Sequence, residues 1–266
     1  MASGKAPTLD SIRELPEIAP RPGAAEPPRR GRRSPPLNSP LLSVLVPVFN
    51  ERATVEALLT RVVAVPLDKE ILVVDDGSTD GTRELLDELA GSLPIQVVHH
   101  ERNRGKGFAI RTALARAAGE IILIQDADLE YDPQDYPRLV APIVRGETNV
   151  VYGSRYLSRE NELPLTHFKV AVLMLNALAN LLYGTRLTDE ATCYKVFRAS
   201  VIKPLELKCE RFEFCPEITA RVAKRGERIV EIPITYHYRT RGEGKKIGWR
   251  DGFEAFATLI RYRFTD

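Results

Sequence analysis

An open, mainly parallel α/β sheet flanked by helices is the fold class this sequence predicts, and three observations predict it. From residue 41 onward, short β-branched runs alternate with longer stretches of helical periodicity, the pattern of successive βαβ units. The 266 residues are enough for one large domain with a core well above marginal size. At 44% hydrophobic and 28% charged, the composition is that of an ordinary globular chain.

The first strand is the apolar run Leu42 to Val48, and further runs predict strands at Glu70 to Val74, Ile95 to His99, Glu120 to Gln125 and Asn149 to Gly153. Between them, apolar residues at helical spacing predict helices near 53–64, 80–91, 107–118 and 133–145. The last carries Pro137 and Pro142, which argue against a regular helix because proline lacks the backbone N–H. After residue 160 the pattern predicts an apolar helix near 166–183, a helix near 215–225, a strand Arg228 to Tyr236, a basic loop and a final helix from 249. The apolar run Val170 to Leu182 contains Asn176 and Asn180 and falls short of the roughly 20 apolar residues of a membrane span. The final helix places Trp249, Phe253, Phe256, Ala257, Ile260 and Phe264 on one face. Such a stripe is expected to be buried against the domain, with contact to a membrane surface as the alternative.

Residues 1–38 hold eight of the 19 prolines and end in Arg29, Arg30, Arg32 and Arg33, so they are expected to be a disordered tail. The expected domain covers 39–248, and 249–266 form the C-terminal amphipathic helix. Before residue 41 there are seven basic and four acidic residues out of 38 and 36 in the chain, which leaves the remainder close to neutral. No nucleic-acid partner follows from such a balance. Cys193, Cys209 and Cys215 are too few and too irregularly spaced for a disulfide framework or a zinc site, and read as reduced structural thiols of a cytoplasmic protein. The start offers no apolar run that could serve as a signal peptide, so export is not expected. His99, His100, His167 and His237 show no metal-binding spacing and read as ordinary polar side chains.

Ligands of open parallel sheets bind at the carboxyl ends of the strands. Three such ends are acidic here: Pro47-Val48-Phe49-Asn50-Glu51, Val74-Asp75-Asp76-Gly77-Ser78 and Gln125-Asp126-Ala127-Asp128. Asp126 and Asp128 project to one side if the chain stays extended, and two carboxylates placed so repel unless a cation lies between them. Carboxylate oxygens suit Mg²⁺ or Mn²⁺, which fill their other positions with water and substrate phosphates, so a diphosphate substrate is expected. Glu130 lies one alternation further on and offers a third oxygen. In the second cluster, Asp75 or Asp76 can accept hydrogen bonds from a base or a ribose hydroxyl, and Asp80 can cap the following helix.

The segments Leu-Ser-Val-Leu-Val-Pro-Val-Phe-Asn-Glu, Val-Val-Asp-Asp-Gly-Ser-Thr-Asp-Gly-Thr, Asn103-x-Gly105-Lys106-Gly107 and Asp126-Ala127-Asp128 together resemble family 2 glycosyltransferases. The likeness continues through Tyr152-Gly153-Ser154-Arg155, Thr188-Asp189 and Phe212 to Glu217, over roughly residues 41 to 250. Within the family it is most similar to dolichyl-phosphate mannose synthases and bacterial polyprenyl-phosphate glycosyltransferases. The resemblance implies a GT-A (Rossmann-like nucleotide-diphospho-sugar transferase) fold and an inverting hexose transfer. It implies nucleotide binding by Pro47, Phe49, Glu51, Asp76, Gly77, Lys106 and Asp126, and metal binding by Asp128, Glu130 and Asp126. Glu130 stands where Gln is common in the family. Arg155 with Asp126 and Asp128 is implied in catalysis, and Arg155, Arg239, Arg241, Lys245 and Lys246 in holding the donor diphosphate and the acceptor phosphate.

The charge pattern after residue 235 suits that acceptor: within the twelve residues 239–250, Arg239, Arg241, Lys245, Lys246 and Arg250 stand against one acid, Glu243. A phosphate monoester is largely dianionic at neutral pH and can attack without a general base, which a sugar hydroxyl needs. The expected partners are therefore a nucleotide sugar (GDP-mannose or a UDP-sugar), a polyprenyl or dolichyl phosphate, and the cytoplasmic face of a membrane, touched peripherally. Transfer to a saccharide hydroxyl is the alternative, although the Q-x-x-R-W motif of polysaccharide synthases is absent. A nucleotidyltransferase would open with a Gly-rich, Arg-containing loop that Val46 to Thr54 lacks, and a non-catalytic binding module would need none of the metal-ready acids. Gly105-Lys106-Gly107 is half of a dinucleotide fingerprint, but Ile110 stands in place of the third glycine.

Overall fold

The computed structural model describes residues 41–161, 163–164, 167–239 and 249–265, together with Ile12, Glu14, Leu15 and Leu37. Strand β1 (Leu42–Val48) is buried along nearly its whole length, because its neighbours β2 (Lys69–Asp75) and β4 (Ile121–Ile124) pair with it in parallel on either side. Such strands read as continuous apolar runs and not as alternations, since both faces are covered by helices. Helices α1 (Val55–Ala64), α2 (Thr82–Ala90) and α3 (Lys106–Arg116) make the crossovers that join β1, β2, β3 (Gln96–His99) and β4, with α3 packed on β1 and β2.

Beyond β4 a 3₁₀ turn over Pro133–Asp135 leads into α4 (Tyr136–Val144), so the expected helix forms in spite of its prolines. Pro137 lies in the first turn, where the N–H has no intrahelical partner anyway. Pro142 forfeits one internal bond, which the burial of Leu139, Val140 and Ile143 outweighs. The chain continues through β5 (Val150–Ser154), α5 (His167–Tyr183), β6 (Lys195–Arg198), the single turn α6 (Ala199–Ile202), α7 (Phe214–Lys224), β7 (Ile229–Pro233) and α8 (Trp249–Phe264). The seven strands lie in the order β3-β2-β1-β4-β6-β5-β7. All pairs are parallel except those of β6, which runs antiparallel to both β4 and β5.

β6 and α6 are the elements that the sequence pattern misses. Lys-Val-Phe-Arg has a cation at each end, and both cations are buried. Lys195 Nζ donates to the carbonyls of Glu190 (2.6 Å) and Thr192 (3.0 Å) and lies 3.9 Å from the centre of the Tyr152 ring. Arg198 donates to the Ile143 carbonyl.

The aromatic stripe of the last helix corrects its expectation. α8 packs on α5 and α7 through Ala255, Thr258, Leu259 and Tyr262, whereas Phe253 and Phe264 are 71% and 80% exposed. α5 likewise leaves Leu173, Met174 and Leu181 in the open. Among the described residues no helix is long and apolar enough to cross a membrane.

Most of the expected tail 1–38 lies outside the described residues. Within it Ile12 is buried in the main core, and Arg145 donates to the Leu15 carbonyl at 3.2 Å. Removing residues 1–38 is therefore expected to cost about the burial of one isoleucine, ~1.5–3 kcal/mol. A denaturant midpoint measured with and without the segment reads this directly; an unchanged midpoint would mean that Ile12 contributes no net burial.

Candidate functional site

The strand order reverses between β1 and β4, so the chains leaving these two strands diverge at their carboxyl ends. A cleft of about 1340 Å³ opens there. Pro47 is tolerated near the end of a central strand because β4 stops at Ile124, opposite Leu45. Leu45 faces β4, where its carbonyl receives the Gln125 N–H, and Val48 faces β2, where its carbonyl receives that of Asp76. By alternation, the missing N–H of Pro47 would have pointed into the open cleft.

Pro47, Phe49, Glu51, Asp76, Lys106 and Asp126 all line this cleft, as do Asp128, Glu130, Arg155 and Arg239. Gly77 does not. Its φ of +74° and a would-be Cβ 2.6 Å from the Arg102 backbone show that it lets the 102–103 loop pass close by. Arg241, Lys245 and Lys246 lie outside the described residues.

The carboxylate of Asp76 is engaged by protein donors: His100 Nδ1 at 2.7 Å and the backbone N–H groups of Arg104 (3.0 Å) and Gly105 (2.6 Å). It thus shapes the loop that delivers Lys106. Lys106, at the first turn of α3, reaches Asp126 Oδ1 at 2.5 Å and Cys193 Sγ at 3.5 Å. Burial works against its charge, but the Asp126 carboxylate outweighs burial and holds the ammonium well above its ordinary pKa.

The chain does not stay extended past Asp126. It turns at Ala127 and Asp128, and Leu129 takes a left-handed φ of 61°, a conformation that side chains other than glycine adopt at a cost of about 1–3 kcal/mol. Asp128 ends beside Arg239 (3.4 Å), which also approaches Glu51 Oε2 (3.5 Å), while Glu130 accepts the Arg239 N–H at 3.0 Å. Burial first, then the neighbouring carboxylates of Asp126 and Glu130, push the Asp128 pKa up to about 7 against the pull of Arg239. Thr54 ties the two strand ends together, donating to Glu51 Oε2 and the Ala127 carbonyl, both at 2.8 Å.

Among the described residues no three His, Cys, Asp or Glu side chains converge as a ready ligand set. Asp126, Asp128 and Glu130 are therefore not a preformed triad, because the turn at Leu129 sends Glu130 toward Arg239 and Tyr236. The donor chemistry still fits a hard divalent cation. Asp126 and Asp128 are crowded carboxylates, and such ions commonly take one or two of these and complete their shell with water and phosphate oxygens.

Arg155 is clamped from the far wall. Its Nε and one terminal nitrogen each donate to Asp189 at 2.7 Å, and its backbone N–H does so at 2.9 Å. Burial opposes the guanidinium charge and Asp189 overcomes it. The Arg155 guanidinium lies 5.2 Å from the centre of the Tyr236 ring, and burial raises the pKa of the Tyr236 phenol.

The far arm of the cleft is apolar, lined by Ala171, Val172 and Leu175 of α5 and by Phe253, Ala255 and Phe256 of α8. Sequence reasoning missed Tyr236, Glu190, Cys193 and Cys215 as lining residues. The signal for Glu190 was there in the acidic pair Asp189-Glu190 set between apolar stretches. Cys193, Cys209 and Cys215 are all free thiols.

The description Glycosyl transferase family 2 matches residues 43–205. The chain is 35% identical over 224 residues to a dodecaprenyl-phosphate galacturonate synthase of Rhizobium johnstonii, covering 82% of this chain and 65% of that one. It is 30% identical over 213 residues to a dolichol-phosphate mannosyltransferase of Pyrococcus furiosus, covering 78% and 59%. The chain thus spans less than two thirds of the length of these relatives. Among solved structures it shares its fold with glucosyl-3-phosphoglycerate synthase from Mycobacterium tuberculosis in complex with uridine diphosphate, at a TM-score of 0.65 and 21% identity over 88% of this chain and 87% of that one.

Proposed function

This chain belongs to glycosyl transferase family 2, and from that premise we propose that it moves a hexose from a nucleoside-diphosphate sugar to a polyprenyl or dolichyl phosphate, with inversion at the anomeric carbon. One observation carries this reading: a single cleft joins a carboxylate and cation end to an apolar arm between α5 and α8. A soluble sugar acceptor has no use for that arm, whereas an isoprenoid chain does. The polyprenyl-phosphate and dolichol-phosphate relatives support the same acceptor class.

The nucleoside lies against Pro47, Phe49 and Glu51, with Asp76 holding the loop beside it. Asp126 and Asp128 would hold Mg²⁺ or Mn²⁺, which when bound would supply Lewis-acid neutralisation of the leaving diphosphate. Lys106 and Arg155 face the same diphosphate; Arg155 is preoriented by Asp189, so its charge needs no reorganisation as the bond to the diphosphate breaks. Arg239 and the basic segment to Lys246 draw the acceptor phosphate alongside. A phosphate oxygen attacks the anomeric carbon from the face opposite the leaving group, and no protein base is needed because the attacking group is already anionic.

The exposed apolar residues of α5 and α8 support a peripheral contact between the mouth of the apolar arm and a membrane surface, at the cytoplasmic face. The test is a panel of GDP-mannose and UDP-hexoses, with Mg²⁺ or Mn²⁺, offered polyprenyl phosphate in vesicles or free oligosaccharides. Sugar-labelled lipid is the expected product. Label on the oligosaccharide alone would replace the lipid reading with a hydroxyl acceptor.

A further inference from the structure

Glu190 has no part in the mechanism above, yet it is fully buried and lines the cleft. It sits in the turn between α5 and β6, and three elements fix it there. Asn176 of α5 accepts its N–H at 2.7 Å, Lys195 of β6 donates to its carbonyl at 2.6 Å, and Thr219 of α7 donates to Oε1 at 3.0 Å. Thr219 is itself paired with the Tyr152 hydroxyl at 3.0 Å. The other carboxyl oxygen, Oε2, is buried and has no hydrogen-bond partner. A buried carboxyl oxygen left unpaired costs free energy, so its persistence in a native fold calls for an explanation.

Its place in the cleft says what that is. Glu190 and Cys193, three residues apart, line the same cleft, and Cys193 Sγ lies 3.5 Å from Lys106 Nζ, which itself reaches Asp126, so Glu190 borders the diphosphate end. Ala191, Cys193 and Cys215 line the same cleft as the acidic rim and the apolar arm. In the donor reading, on which this inference rests, the sugar occupies that stretch, beyond the diphosphate and before the lipid.

We propose that Glu190 Oε2 hydrogen-bonds a hydroxyl of the transferred sugar and so determines which hexose is accepted. A hydroxyl both donates and accepts, and therefore satisfies the carboxyl group in either protonation state. A polar site of this kind discriminates strongly against a sugar lacking the hydroxyl, because the buried oxygen is then left bare.

The test pairs variants with deoxy donors. Calorimetric affinities are measured for UDP-glucose, UDP-galactose and GDP-mannose, for the single-deoxy forms of the tightest binder, and for the matching nucleoside diphosphate alone. Glu190→Gln, which keeps the Thr219 contact, and Glu190→Ala are compared with the parent. Glu190→Ala is expected to weaken the nucleotide sugar about tenfold and the nucleoside diphosphate less than about twofold, and Glu190→Gln, whose amide still pairs with a hydroxyl, is expected to lose less of the sugar affinity. One deoxy form is expected to lose about the same affinity on the parent and nothing further on Glu190→Ala. Equal losses for sugar and diphosphate, or the same loss with every deoxy form, overturn the assignment, as does a tight sugar complex indifferent to both variants. A parent that binds the nucleotide sugars no better than the bare diphosphates overturns the donor reading itself, and the two failures are thereby told apart.

Discussion

Asp128→Asn is expected to lower sugar transfer by roughly a hundred- to a thousandfold, about 2.7–4 kcal/mol of transition-state stabilisation, while the fold is kept. The side chain keeps its shape and its bond to the Glu130 N–H, but it no longer offers a charged oxygen to a cation. The scaffold has no need of that charge. Asp128 is buried beside Asp126 and Glu130, and Arg239 and the Glu130 N–H relieve the crowding. Thermal stability without added metal is therefore expected to hold or rise, which separates a functional loss from an unfolded protein. A variant that keeps transfer would end the metal assignment, and one that melts several degrees lower would show that the carboxylate is structural.

The largest loss of stability is expected from Asp189→Ala, at about 3–5 kcal/mol, because it leaves the Arg155 guanidinium buried without its partner. Asp189 is fully buried and Arg155 nearly so, and the pair is held by three hydrogen bonds of 2.7–2.9 Å. Water is therefore a poor substitute for the lost carboxylate. Removing both charges, as Arg155→Met with Asp189→Leu, is expected to restore much of that stability without restoring transfer, since an apolar pair of similar volume carries no uncompensated charge. Urea denaturation of the three proteins measures this. A loss below about 1 kcal/mol for Asp189→Ala would place the pair with solvent-exposed ion pairs.

What the sequence by itself determined was the architecture of the first half and the acids at its rim. β1, β2 and β4 are covered on both faces, so their positions are written as unbroken apolar runs that no exposed surface segment can afford to imitate. The turn chemistry that follows them, Asn50-Glu51, Asp75-Asp76 and Asp126-Ala127-Asp128, stands at strand ends whatever the rest of the chain does. The residues of this half that line the cleft, from Pro47 to Glu130, are legible in the sequence, whereas Gly77 shapes the loop behind the cleft.

Tertiary structure decided the rest. β6 is invisible in sequence because its two cations are stabilised by carbonyls and an aromatic ring that belong to other segments. The partner of Arg155 lies 34 residues away, and the unpaired oxygen of Glu190 exists only once α7 has taken the other one. The final helix shows the limit most plainly. It carries apolar residues on two faces, and periodicity finds the aromatic one, yet the core takes Ala255, Leu259 and Tyr262. Local patterning records that a helix has an apolar face. Which face is buried depends on the shape that α5 and α7 present to it, because close packing favours the side chains that fill that space over those that are merely the most hydrophobic.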